Sequence, residues 1–413
     1  MATFLYWTII VIVVAEFAFD CVLRYLNVKA SKQPIPKELE GIYDEETYKK
    51  QQAYSGERRR ISLIGSVLST CVTLSIFVFG GFALFDGWVR NITYSPVLMA
   101  ILFMLIFNVI GIVIDIPFSY YSTFVIEEKY GFNKSTKRLF WIDLLKSTLL
   151  SIVITSIIIG VVVWIYGMIP EWFWLAAWAV TSCFQLFMQY IYTDLIVPIF
   201  NKLTPLADGE LRDAIETFAK KVDFKLENIY VQDSSKRSTH GNAYFSGFGK
   251  RKKVVLYDTL IEQLTTEQIV AVLAHEIGHQ ANGHIVKGTI LGLASNLFTL
   301  WLFSLVIDSR DIAMAAGCYQ PSFHINIMVF SMLYTPISLV TGMLMAVLSR
   351  RHEWEADEFA RTNGLGKAVS EALKAMSKHS LANLTPHPLV VFMEYSHPTL
   401  LDRVRHLEAS LEN

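Results

Sequence analysis

AVLAHEIGHQANGHIVKGTILGLASNLFTLWLFSLVI, residues 271–307, decides how this chain is built. Its first part spells HEIGH through His275, Glu276 and His279, and its second part is apolar from 285 to 307. On a helix, positions i and i+4 share a face, so the two imidazoles converge on one point. That spacing suits a tetrahedral zinc ion, with Glu276 beside a water whose pKa the metal lowers from about 15.7 toward ~7. Thr265 and Gln268 predict a capping box that opens this helix. An apolar helix carrying two histidines and a glutamate without a metal would be costly to bury. A zinc peptidase is the reading, and the run that follows places it against a membrane.

Composition agrees with the second half of that reading. The chain has 413 residues, 53% hydrophobic and only 18% charged. Soluble domains carry roughly 25% charged residues, so this is the composition of a membrane protein. With 36 basic and 37 acidic residues the net charge is −1, which points away from nucleic acid as a partner and leaves membrane lipid. Cys21, Cys71, Cys183 and Cys318 lie far apart, with no CxxC pair. Ordinary buried thiols are expected, neither a disulfide framework nor a thiolate metal site.

Crossing the bilayer takes about 20 apolar residues. Seven runs qualify, at 4–27, 62–88, 95–124, 144–167, 172–197, 285–307 and 323–349. The first lacks a basic leader and a small-residue cleavage site, so it reads as an uncleaved span. Lys29, Lys32, Lys37, Lys49, Lys50 and Arg58 to Arg60 follow span one, and Lys129, Lys134, Lys137 and Arg138 follow span three. Arg350 and Arg351 follow span seven, while the opposite loops offer only Arg90 and Arg310. The positive-inside rule then puts the N-terminus outside and segments 198–284 and 350–413 in the cytoplasm, so the active site faces inward.

Several spans hold groups that lipid penalises: Glu16, Asp20 and Arg24 on one face of span one, Asn108 and Asp115 in span three, and Gln185, Gln189 and Asp194 in span five. Such groups face a water-filled cavity or act as glue between helices. Three contributing spans favour the cavity. Among the cytoplasmic pieces, 208–222 reads as an amphipathic helix. NIYVQD, NAYFSGFG and VVLYD read as short strands, the last two joined by a GKRKK turn. HEWEADEFARTNG reads as a helix closed by Gly364.

Zinc needs a third protein ligand. His284, five residues after His279, rotates off the shared face of an unbroken helix and misses the HExxHxxGxxH spacing. Glu353 and Asp357, again i and i+4, offer a ligand and a carboxylate that fixes a histidine tautomer. Glu355 and Glu358 lie on neighbouring faces of the same helix and leave the choice open.

HEIGH, RRHEWEADEFA, STHGNAYFSGFG and SHPTLLDRVRHL together resemble the type I CAAX prenyl proteases, as do FVIEEKYGFNKST (124–136) and LIVPIFNKLTPL (195–206). The resemblance covers nearly the whole chain. It implies a mainly α, polytopic membrane protein with seven spans enclosing a polar chamber and a cytoplasmic zincin-like α+β portion. It implies one Zn²⁺ per chain on His275, His279 and Glu353, with Glu276 as general base. His397 and Arg403 match residues that support the oxyanion, Asn242 the asparagine that holds the substrate backbone, and Asp357 remains the carboxylate behind a ligand histidine. The implied organisation is spans one to five over 1–199, a peptidase segment over 200–284, spans six and seven over 285–349 and a helical tail over 350–413.

The implied substrate is a peptide or protein, cut after a prenylated C-terminal cysteine so that three residues leave. Eukaryotic members tend to be longer ahead of the ExxxD helix, whereas this chain is compact there and its HLEASLEN end has no dilysine signal. That favours a bacterial inner membrane over the endoplasmic reticulum, and with it a second reading: quality control of membrane proteins without a prenyl group. A transporter with a regulatory zinc is the rival class. It would show a glycine- or proline-broken pair of spans, and none appears. A non-catalytic zinc scaffold would have no need of Glu276.

Overall fold

Apolar length and helix-breaking glycines set the architecture. The computed structural model describes residues 1–226, 228–246 and 253–409. Six helices in it are long and apolar enough to cross a membrane: Glu45–Val78, Pro96–Tyr130, Lys137–Met168, Pro170–Phe200, His284–Ser304 and Phe323–Thr362. They answer to expected spans two to seven. The first expected span lies in a continuous helix, Ala2–Ala30. Two of its three polar groups are engaged: Arg24 pairs with Asp20 at 2.7 Å and donates to Ser62 at 2.9 Å and Ser66 at 3.2 Å.

Span two differs from its expected limits of 62–88. The helix stops at Val78, Gly80 turns left-handed at φ +72°, and a separate amphipathic helix runs Gly81–Ile92. Glycine takes that conformation at no steric cost, and the pair Gly80–Gly81 ends the span ten residues early. The buried Asp86 of the short helix receives His324 at 2.7 Å and Arg90 at 2.8 Å, closing that end of the bundle.

Polar cavities do open between the spans. One of ≈530 Å³ is lined by Glu16, Asp20, Ser66, Ser69, Thr73 and Thr335. A neighbour of ≈530 Å³ shares Gly65 and Ser69 and reaches Asp115, and a third, of ≈470 Å³, joins Asp115 to Asn108. Glue and cavity are therefore both present, because Asp20 bonds Arg24 along its own helix while its face borders the void.

A small mixed sheet carries the α+β portion: β1 (Leu203–Pro205), β2 (Asn228–Gln232), β3 (Ala243–Ser246) and β4 (Lys253–Tyr257), in the order β1-β2-β4-β3. Strand β1 had no sequence signal. β2 and β4 run parallel, and β3 pairs antiparallel with β4 and forms the edge. The GKRKK turn lies almost wholly outside the described residues. The expected helix at 208–222 is Glu210–Lys221. Ile215, Phe218, Ile229, Val254 and Leu256 make one core with Ile269, Leu273 and Ile277. All four cysteines are free, but only Cys318 is buried; Cys71 and Cys183 are exposed on helix surfaces.

Candidate metal centre and active site

The motif helix, Thr266–Ala281, opens with the expected capping box between Thr265 and Gln268. Ile269, Ala271, Leu273, Ala274 and Ile277 of this helix are buried, so His275 and His279 project from a well-packed support. The long helix, Phe323–Thr362, crosses it closely. A Cβ on Gly278 would stand 3.0 Å from the Cα and carbonyl oxygen of Ala356, so a side chain there would have to push the two helices apart by a few tenths of an ångström. That approach brings Glu353, 78 positions beyond His275, to both rings.

The three ligand side chains form a small triangle. His275 Nε2 and His279 Nε2 lie 3.1 Å apart, Glu353 Oε2 is 3.4 Å from the first and Glu353 Oε1 3.2 Å from the second. Donors ~2.0–2.1 Å from a tetrahedral ion stand ~3.3–3.4 Å from one another, so the residues fit zinc. Glu353 Oε2 is also buried with no hydrogen-bond partner among the described residues, an orphan that a cation would satisfy. Bound there, zinc supplies a Lewis acid and a water acidified toward neutral pH.

Behind the triangle, Asp357 meets His275 Nδ1 at 2.8 Å and accepts Arg403 through Nε at 2.8 Å and Nη2 at 2.6 Å. Asp357 is fully buried and Arg403 nearly so. Burial opposes the charge of His275, yet the Asp357 and Glu353 carboxylates prevail and push its pKa up to about 9 in the metal-free protein. Burial lowers Arg403 too, and Asp357 overrides it upward. The Nη1 of Arg403 stands 3.5 Å from Glu353. Its guanidinium is thus largely engaged in holding Asp357.

In front, Glu276 is half-buried, and burial raises its carboxyl above the usual range. His397 is open, 60% of its side chain exposed, with Nε2 3.4 Å from Glu353 and Nδ1 2.8 Å from Ser396 Oγ. The surrounding protein pushes its pKa down, outweighing the attraction of Glu353. Were Ser396 the donor to Nδ1, the His397 proton would sit on Nε2, the nitrogen nearer Glu353. Asn242 is exposed at the head of β3, its Oδ1 accepting from the N–H of Ala243 at 2.9 Å. No hydrogen bond joins it to the triangle among the described residues.

Two residues take contacts that the sequence did not assign to them. His284 is no ligand, as its position relative to His279 predicts, but its ring reaches His279 from behind: Nδ1 to Nδ1 is 2.9 Å. An offset of five residues carries a side chain off the shared face only while one helix continues. Gly283, at φ +67°, breaks it, and His284 starts the next. The ANG sequence ahead of it was the available signal. Glu355 receives His284 Nε2 at 2.9 Å, while Glu358 pairs with Arg361 at 2.8 Å, which separates the roles of the three glutamates of that helix.

Comparison with known proteins agrees with this arrangement. Residues 24–202 match the model described as CAAX prenyl protease N-terminal, five membrane helices, and residues 205–411 match peptidase family M48. The chain belongs to peptidase family M48. It is a multi-pass membrane zinc metalloendopeptidase of the CAAX prenyl protease 1 group, with His275, His279 and Glu353 as its metal site. It is 33% identical to CAAX prenyl protease 1 of Saccharomyces cerevisiae, over 96% of this chain and 93% of that one. It is 31% identical to the human CAAX prenyl protease 1 homolog, over 93% and 91%. The crystal structure of S. mikatae Ste24p superposes with a TM-score of 0.92 at 31% identity, covering 98% of this chain and 99% of that one. M48 membership implies peptide substrates.

Proposed function

We propose that this M48 peptidase cleaves membrane-associated proteins near a prenylated C-terminal cysteine, releasing the residues beyond it. The observation that carries the reading is the nearly full-length similarity to CAAX prenyl protease 1, together with a metal triangle on a helix that continues into a span. In this scheme Asn242 and the outer edge of β3 hold the substrate as an added strand. Glu276 accepts a proton from the attacking water and delivers it to the leaving amine, a transfer its raised pKa suits. His397 donates from Nε2 to the developing oxyanion, with Arg403 in support. Asp357, gripped by Arg403, keeps the His275 proton on Nδ1 so that Nε2 faces the metal.

The relatives named above are eukaryotic and are covered over nine-tenths of their length, which favours the endoplasmic reticulum over a bacterial inner membrane. Basic flanks favour the cytoplasmic side for the active site. Cleavage of a farnesylated CAAX peptide and its unprenylated twin tests the substrate. The prenylated peptide is expected to be cut at least about tenfold faster in kcat/KM, a gap of ~1.4 kcal/mol that burying a few isoprenoid carbons exceeds. Equal rates would remove lipid recognition and leave membrane-protein quality control.

A further inference from the structure

Zinc on Nε2 of a neutral histidine leaves a proton on Nδ1, which needs an acceptor. His275 has Asp357. For His279 the atom facing Nδ1 is the Nδ1 of His284, at 2.9 Å. It accepts only if His284 carries its own proton on Nε2, and that nitrogen points at Glu355 Oε2, 2.9 Å away. The other oxygen of Glu355 is held by Arg351 Nε at 3.1 Å. One proton arrangement satisfies every atom of the chain from Glu355 through His284 to His279.

Packing holds the relay in place. The His284 side chain is 4% exposed, and the ring of His352 stacks on it at 4.1 Å and 11°. The break at Gly283 is what allows the relay, since an unbroken helix would carry His284 away from His279. The two ligand histidines are thus secured alike, one by a carboxylate directly and the other by a carboxylate acting through an imidazole.

We propose that His284 and Glu355 are positioning residues for the zinc site, fixing the tautomer and ring plane of His279. The role rests on the metal site alone and holds whatever substrate is cut. Neither residue reaches the reacting atoms.

Zinc affinity of the full-length protein, measured by competition with a chromogenic chelator, tests it without reference to activity. Removing such a partner weakens metal binding by about 10- to 100-fold, the loss expected of His284→Ala. Glu355→Ala is expected to lose less, and Glu355→Gln to recover most of that loss, because the amide oxygen still accepts from Nε2–H. The double variant His284→Ala/Glu355→Ala is expected to bind no more weakly than His284→Ala, since Glu355 acts only through His284. The visible spectrum of the cobalt-substituted Glu355→Ala protein should change, and that of Glu355→Gln should match the parent.

Zinc affinity in folded His284→Ala within about twofold of the parent would overturn the proposal, since loss of such a partner costs tenfold or more. Losses that multiply in the double variant would do the same. Should His284→Ala not fold, the Glu355 pair decides: Glu355 is a third exposed and tolerates truncation, and parental affinity in Glu355→Ala rejects the relay.

Discussion

Glu276 is the residue whose loss separates binding from chemistry. It is not one of the three metal-holding residues, so Glu276→Gln should keep zinc at full stoichiometry while kcat falls about 10²- to 10⁴-fold. Metal analysis alongside single-turnover cleavage checks this, and a parental rate in the variant would remove the general base. His275 gives a prediction about pH. Its pKa in the metal-free fold is raised to about 9, so its contribution to stability is fully present below the ordinary 6.5 and is lost as pH climbs through about 9. Zinc needs the neutral ring, so uptake below about 9 ejects a proton. Apparent zinc affinity should therefore rise as pH increases from 6.5 toward about 9, while the melting temperature of the stripped protein declines over the same range. Calorimetry in buffers of differing ionisation enthalpy reads the proton directly.

At the scale of elements, the site depends on how closely two helices approach. Gly278→Ala adds a methyl that meets Ala356 backbone and Phe359 Cβ at 3.0 Å, with no flexible side-chain tip to yield. Overpacking of this kind costs ~1–3 kcal/mol. It also draws Glu353 away from the rings, so melting temperature and zinc content should fall together; an unchanged zinc content would show that the approach is not what sets the triangle. Periodicity made the motif helix, its capping box and the ExxxD helix legible, because a helical face is a local property of sequence. Breaks were harder. Gly80–Gly81 ended span two early, and Gly283 turned His284 toward His279, since a glycine inside an apolar or helical pattern does not announce which way the chain leaves it. Strand β1, three residues long, exists only because β2 lies beside it. Choosing Glu353 over Glu355 needed the crossing angle of two helices, which spacing does not contain.

For the molecule as a whole, the long helix makes bilayer and metal site one mechanical unit. Its 40 residues extend ~60 Å at ~1.5 Å per residue, from Phe323 in the bundle to the ligand Glu353 and beyond. The motif helix packs on it and, two residues past its end, the chain enters the span His284–Ser304. Two spans therefore leave directly from the elements that bear the ligands. Zinc at 100 times its dissociation constant stabilises the folded state by ~2.7 kcal/mol. That increment should be felt by spans and peptidase portion together. Thermal unfolding of the purified protein should show one cooperative transition that chelation moves down by a few degrees, with helix content below the transition unchanged because hydrophobic packing, rather than the metal, forms the helices. Had the two portions been independent, chelation would shift an early soluble-domain transition and leave a later membrane transition where it was. Monitoring tryptophan emission, with seven of the nine tryptophans between Trp7 and Trp178, against zinc release on one temperature ramp distinguishes these outcomes. Coincident curves are expected; a gap between them would mean that the long helix bends at Pro336 and uncouples the site from the bilayer.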